Sequence, residues 1–345
     1  MPGPIKTVCF GELMLRLSPP GHERLLQSPL LQATFGGGEA NVAVSLAHFG
    51  CDSHYVTRLP ANAIGDAALR ALRAEGVRTE HVLRGGERLG IYFAETGASQ
   101  RASTVVYDRA HASISEVKPG MVDWADVLAG AHWVHCTGIT PALGAGPAAV
   151  TAEALEAARR ARITVSVDLN YRAKLWSHAD AQKTMRPLMR SVDLVIANEE
   201  DLQAVLGIEV PHADVTGGSL SVEGYHLAAE RVAAEFGVKQ VAVTLRESQS
   251  ASENAWSGVL FDAAARSFHV SQRYLVHLVD RIGGGDSFAA GLIFGLASGR
   301  DCDASLRFAV AASALKQTIP GDFNRVSVNE VERLAAGDAS GRVQR

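Results

Sequence analysis

The sequence has no apolar run approaching the ~18 residues that a membrane-crossing helix needs, which argues against a transmembrane span. Its four cysteines, Cys9, Cys51, Cys136 and Cys302, are scattered and form no CxxC pair. Reduced, mostly buried thiols in the cytoplasm are therefore the simple expectation. Charge is also scarce: a net charge of -4 argues against a nucleic-acid partner held by phosphate neutralisation. The twelve histidines contain no HExxH and no paired metal spacing, so each reads as a packing or surface residue. GxxxxGK[ST] is missing too, and with it a Walker-type phosphate loop. What is present is ordinary: 345 residues, 47% apolar and 20% charged, enough for an ample core in one large domain or two.

Along the chain, strand-like and helix-like segments alternate. Apolar strand patterns fall at Lys6–Phe10, His132–Cys136, Thr164–Asp168, Leu194–Ala197 and Val241–Leu245. Helical patterns fall at Glu39–Phe49, Asp66–Glu75, Ala148–Arg160, Glu199–Leu206 and Leu227–Phe236, several ending in glycine (Gly50, Gly76, Gly207, Gly237). The stretch from Ile5 follows two prolines and runs into Gly11-Glu12, so it reads as a first strand and not as a signal peptide. Strands separated by helices predict an α/β fold, with a parallel sheet covered on both faces. One region departs from this rule. Gly90–Thr96 and Arg101–Tyr107 read as a hairpin, and the span from Leu13 to Thr34 lacks a long helix. Together these predict a small β lid, residues 13–34 and 88–110, on a discontinuous core of 1–12, 35–87 and 111–345. The tail from about Gly337 reads as frayed.

Chemistry concentrates at Tyr274 to Gly291. A strand-like run ends in Gly283-Gly284-Gly285, and Ser287 to Leu296 has helical spacing. Glycines at a strand-to-helix turn let backbone N–H groups gather around an anion, and the helix dipole adds positive potential. A carboxylate there, Asp286, opposes the anion and so asks for a reason. One is that it takes a proton from a hydroxyl attacking a bound phosphate. An aspartate cap on a glycine turn explains it equally well locally. A dinucleotide fingerprint at Gly144 to Ala149 is set apart from its strand by Ile139 to Leu143, which counts against it. A hydrolase elbow around Ser287 would need a later histidine, yet the last one is His277. A second glycine cluster, Gly36-Gly37-Gly38, precedes a helix with Asn41 in its first turn, where the side chain can hydrogen-bond hydroxyls.

The two clusters, Gly36 to Asn41 and Asp280 to Asp286, resemble the GGxxxN and DxxGxGD signatures of the ribokinase-like (phosphofructokinase-B type) carbohydrate kinases. The resemblance runs from about Ile5 to Glu332. It is closest to the 2-keto-3-deoxygluconate kinases among them, through Arg88 to Phe93, Tyr107 to Ala110, Asp168 to Arg172, Thr244 to Ser248 and Thr318 to Asn324. It implies a ribokinase-like, mostly parallel sheet with helices on both faces and a lid that covers the substrate and often builds a dimer. It implies phosphorylation of the sugar acid by ATP with Mg²⁺, and allows a monovalent cation. Asp286 would be the base and Gly283, Gly284 and Gly285 the anion hole. Gly37, Gly38, Asn41, Tyr92, Tyr107, Arg109, Arg172 and Asp322 would hold substrate. Asn170, Arg172, Thr244, Arg246, Ser248, Gly283 and Gly285 would face ATP. Asn198 and Asp201 would reach the metal through water.

The residue chemistry agrees, since Arg109 and Arg172 can each present a planar fork to a carboxylate. Against that stand a solvated Arg109 paired with Asp108, and tyrosines that merely pack the hairpin. Two departures stand out. The common NxxE motif ends here in Asp201, with Glu200 as a substitute, and Ile282 occupies a position often held by threonine. A neutral-sugar kinase (fructose, ribose or a nucleoside) and a silent sugar-binding sensor remain alternatives.

Overall fold

The structure, a computed structural model, describes residues 3–198, 200–211, 221–338 and 341. The end of the predicted frayed tail and Glu199, the predicted start of a helix, lie outside the described residues.

Six strands run parallel in the order Gln240–Ser248, Leu194–Ala197, Thr164–Asp168, Trp133–Thr137, Lys6–Phe10, Asp52–Val56. Their side chains alternate between two cores. Val8, Phe10, Val195 and Ala197 face one, while Cys9, Leu194 and Ile196 face the other. Both faces are thus dry, which is why these strands read as unbroken apolar runs. Each fully buried aliphatic side chain adds about 1.5–3 kcal/mol. The sheet then continues antiparallel, through Glu253–Asp262 to Ser267–Val270, with Tyr274–His277 also paired to Glu253–Asp262. The fold is the ribokinase-like α/β architecture expected, with this antiparallel edge added.

A separate four-stranded sheet has the order Gln32–Gly36, Met14–Ser18, Gly90–Glu95, Thr104–Asp108. The hairpin is looser than its sequence pattern: its second strand starts at Thr104, and only an isolated bridge joins Ala98 to Arg101. Tyr92 and Ala94 point inward with Met14, whereas most of Thr104–Asp108 is exposed.

Two helices set the site. Gly284–Ala297 packs against Cys302–Lys316 so tightly that a Cβ on Gly291 or Gly295 would lie 2.8 Å from the Cα of Ala309 or Ser305. On its other side lies Gly38–His48. The N-termini of Gly38–His48 and Gly284–Ala297, and the C-terminal ends of the parallel strands at Asp168, Ala197 and Thr244, all open on one cavity. Ligands of open α/β sheets bind at such strand ends.

Candidate active site

The cavity holds about 440 Å³ and lies between the two sheets. Its floor is the glycine turn. Gly283 has φ of 84°, and a Cβ there would sit 2.1 Å from the Asp322 carbonyl oxygen, so only glycine allows this turn. The first i→i−4 bond of the following helix runs from Ser287 N–H to the Gly283 carbonyl at 2.9 Å. The N–H groups of Gly285 and Asp286 precede that bond and remain available at the positive end of the dipole. Gly37 faces them across the cavity. Its φ is ordinary, but a Cβ would meet the Glu12 carbonyl oxygen at 2.0 Å, so close backbone packing excludes a side chain.

Asp286 sits in the first helical turn, partly buried. Burial pushes its carboxyl up to about 6, against the lowering effect of a hydrogen bond donated by Asn41 Nδ2 at 2.7 Å. Asn41 was expected to meet substrate hydroxyls. In the structure it lines the cavity, its amide donates to the candidate base, and its Oδ1 accepts from Gly37 N–H at 3.3 Å. The same through-space logic fixes Glu39, whose buried Oε1 accepts from Thr137 N–H, Thr137 Oγ1 and Thr140 Oγ1.

At the end under the smaller sheet, the charges are paired. Arg16 bridges Asp280 and Asp322, each at 2.7 Å, and Tyr92 donates its hydroxyl to Asp322 at 2.5 Å. Arg109 pairs with Glu12, while Asp108 is taken by Arg88, so the expected alternative of an Arg109–Asp108 pair does not occur. Arg109 also lies over the Tyr107 ring, 5.1 Å from its centroid, and its buried Nε has no partner.

At the other end, like charges crowd. Asp168 is buried, and its carboxyl is pushed well above the usual range by burial and by Asp201 and Asp286. Asp201 is raised by burial as well, although its oxygens accept from Tyr171 and Asn198 N–H, both at 3.0 Å. Arg281 is pushed below the usual arginine range by burial and by Arg246 beside it.

The cavity gathers Gly37, Gly38, Asn41, Tyr92, Tyr107, Arg109, Asn170, Arg172, Asn198, Asp201, Thr244, Arg246, Gly283, Gly285, Asp286 and Asp322. Ser248 and Gly284 do not line it, and neither does Glu200. Gly284 is buried because Gln317 packs against it, and Ser248 ends its strand beyond the rim. Glu12, Asp168 and Arg281 line it without having been singled out as site residues. For Glu12 a signal existed: an acidic residue two positions after a core strand, and buried there, needs a partner.

A glycine turn, a raised carboxyl and two arginine-bearing walls suit phosphoryl transfer, and comparison with known proteins agrees. Residues 5–324 match the pfkB family carbohydrate kinases. The chain belongs to that family. A crystal structure of 2-dehydro-3-deoxygluconokinase from Thermotoga maritima superposes with a TM-score of 0.93 at 51% identity, covering 96% of this chain and 100% of that one. The 2-dehydro-3-deoxygalactonokinase of Haloferax volcanii is 33% identical over 334 residues, 97% of this chain and 98% of its own. A putative ribokinase II of E. coli, solved with ATP and Mg²⁺, shares the fold at 17% identity and a TM-score of 0.76, over 96% and 99% of the two chains. As a pfkB carbohydrate kinase, the protein transfers phosphate from ATP to a sugar, and the sensor alternative falls away.

Proposed function

We propose that the acceptor is 2-keto-3-deoxygluconate, phosphorylated at its terminal (C6) hydroxyl to give 2-keto-3-deoxy-6-phosphogluconate and ADP. The observation that carries this reading is the partly buried Arg109 guanidinium on the cavity wall, whose Nε–H has no partner and would be satisfied by a sugar carboxylate. Tyr107 beneath it offers a flat apolar contact. Relatives named for the gluco and galacto forms support a keto-deoxy acid and leave the epimer to experiment.

Asp286 is the base. With its carboxyl at about 6 it is mostly ionised near neutral pH, yet more basic than an ordinary aspartate. As the acceptor oxygen bonds to the γ-phosphorus, the bond from phosphorus to the β,γ-bridging oxygen breaks, ADP leaves, and the hydroxyl proton passes to Asp286. N–H groups of Gly285 and Asp286 meet the charge on the phosphoryl oxygens. Asn41 keeps the carboxylate aimed. Arg172, Arg246 and Arg281 line the end assigned to the polyphosphate. The donor set there fits a hydrated Mg²⁺. Asp168 and Asp201 are buried, and burial raises both carboxyls, that of Asp168 further through the charge of Asp201; no cluster among the described residues could ligate a metal directly. With Asn198, these carboxylates would hold the ion's waters, and the ion would neutralise phosphate charge when bound.

The smaller sheet (13–34 and 88–110) serves as a lid on the core (1–12, 35–87 and 111–345), closing over the acceptor to exclude water. Its exposed apolar residues Val106 and Tyr107 support a dimer through the lid. Four unpaired thiols suit the cytoplasm. A monovalent cation would need oxygen ligands beside the glycine turn, and there the carbonyl oxygens surround Lys316 Nζ.

One observation favours a neutral sugar as the second reading: Arg109 is already paired with Glu12. Coupled ADP release with 2-keto-3-deoxygluconate, its galacto epimer, gluconate, fructose, ribose and adenosine separates the two. Turnover confined to keto-deoxy acids is expected, and preference for fructose or ribose overturns the carboxylate role.

A further inference from the structure

Among the described residues, Lys316 is the most deeply buried cation that the chemistry above leaves unused. It ends the helix Cys302–Lys316, and its side chain is 0% exposed. Its Nζ donates to three backbone carbonyls: Gly321 at 2.6 Å, Asp280 at 3.3 Å and Ile319 at 3.4 Å. These carbonyls come from two separate segments. Asp280 opens the glycine turn, and Ile319 to Gly321 lead into Asp322. The lysine stem runs directly beneath the turn, because a Cβ on Gly283 would lie 3.2 Å from Lys316 Cε.

Charge balance shows that this is more than packing. Behind the turn, Arg16 and Lys316 face Asp280 and Asp322; burial pulls the lysine below its ordinary value, and the two carboxylates act to keep its ammonium charged. Without the ammonium, that cluster would carry net negative charge immediately behind the N–H groups that must receive phosphate. An apolar side chain would fill the same space without the cost of burying a charge, so the charge itself has a use. An ammonium among carbonyl oxygens has the coordination chemistry of a dehydrated alkali or ammonium ion.

We propose that Lys316 is a tethered internal cation that positions and charges the glycine turn, so that turnover needs no exchangeable monovalent ion. It acts through the turn and is a positioning residue. The inference rests on the carbohydrate-kinase assignment and not on which sugar is the acceptor.

The test compares choline, potassium and ammonium chlorides at equal ionic strength, with MgATP and the purified full chain. Wild type should turn over at the same rate, within about twofold, in all three. Lys316→Ala should lose about tenfold or more in kcat in choline chloride, the size expected when one stabilising charge is removed. Potassium or ammonium entering the vacated space should restore it. Lys316→Met, which fills that space, should show the loss without rescue. A sugar-free arm follows Tm: potassium should raise it for Lys316→Ala and leave wild type unmoved. Absence of turnover on every acceptor would count against the acceptor assignment while the Tm arm still reports on Lys316. The proposal is overturned if potassium activates wild type severalfold. It is equally overturned if folded Lys316→Ala keeps full kcat in choline chloride or is rescued by no cation. Should Lys316→Ala fail to fold, full kcat in Lys316→Met overturns it, and a tenfold loss at unchanged sugar KM supports it.

Discussion

The two ends of the cavity handle charge in opposite ways. Under the smaller sheet, three acidic groups that line or back the cavity have cationic partners: Glu12 with Arg109, and Asp280 and Asp322 with Arg16. At the far end, burial raises the carboxyls of Asp168 and Asp201, the charge of Asp201 raises Asp168 further, and burial with Arg246 depresses Arg281. The first end is organised before any ligand arrives, so binding there adds hydrogen bonds to an already neutral wall. The second is frustrated until opposite charge enters, which suits a polyphosphate carrying a hydrated divalent ion. A neutral-by-pairing wall discriminates by shape and donor count. A frustrated one binds whatever brings compensating charge. Asp286, the proposed base, sits where the two meet.

Removing the meeting point should have the largest effect. Asp286→Asn is expected to lower kcat by about two to four orders of magnitude, with modest change in either KM. Near wild-type kcat would remove Asp286 from the base role. Breaking the paired end comes next. Arg16→Met leaves two buried carboxylates short of a partner and should cost about 3–5 kcal/mol in denaturant unfolding; an unchanged unfolding midpoint would mean that the bridge contributes little. Cutting each end separately should split the kinetics. Arg281→Ala should raise KM for ATP about tenfold and spare the sugar, while Arg109→Ala should raise KM for the acid sugar by about the same factor and spare a neutral analogue. Equal losses on both substrates from either variant would dissolve the distinction between the ends. Smaller still is the pH effect. Because the carboxyl must be ionised, kcat/KM should fall about tenfold per unit below its value of about 6. Asn41→Ala removes a hydrogen bond that lowers that value, so the acid limb should move to higher pH.

Much of this was legible in the chain because the relevant residues are neighbours in sequence. The glycines at 36–38 and 283–285 each lie beside the residue that uses them, and parallel strands buried on both faces announce themselves as apolar runs. What stayed hidden depends on contacts across the fold. The helix Cys302–Lys316 is buried on nearly all sides, so it carries no polar stripe and shows no period. The strand Glu253–Asp262 is interrupted in sequence by Ser257-Gly258, and it is pairing with Gln240–Ser248 that makes it continuous. Asn41 and Asp286 are 245 residues apart, and no local pattern tells that one holds the other. Arg109 choosing Glu12 over its neighbour Asp108 is decided by where the strand Thr104–Asp108 ends over the core.

The burial that tunes Asp286 also bears on how the protein folds. In the unfolded chain this carboxyl ionises near its ordinary value of 3.8, and in the folded chain at about 6. As pH rises through that window the unfolded state sheds its proton first, so stability is lost. Above about 6 the loss is complete, at about 1–3 kcal/mol. Asp286→Asn, neutral at every pH, should therefore melt above wild type at pH ~8, and the gap should close near pH ~4. A variant that is catalytically dead and thermally hardier would show that the fold carries its reactive group at the expense of its own stability.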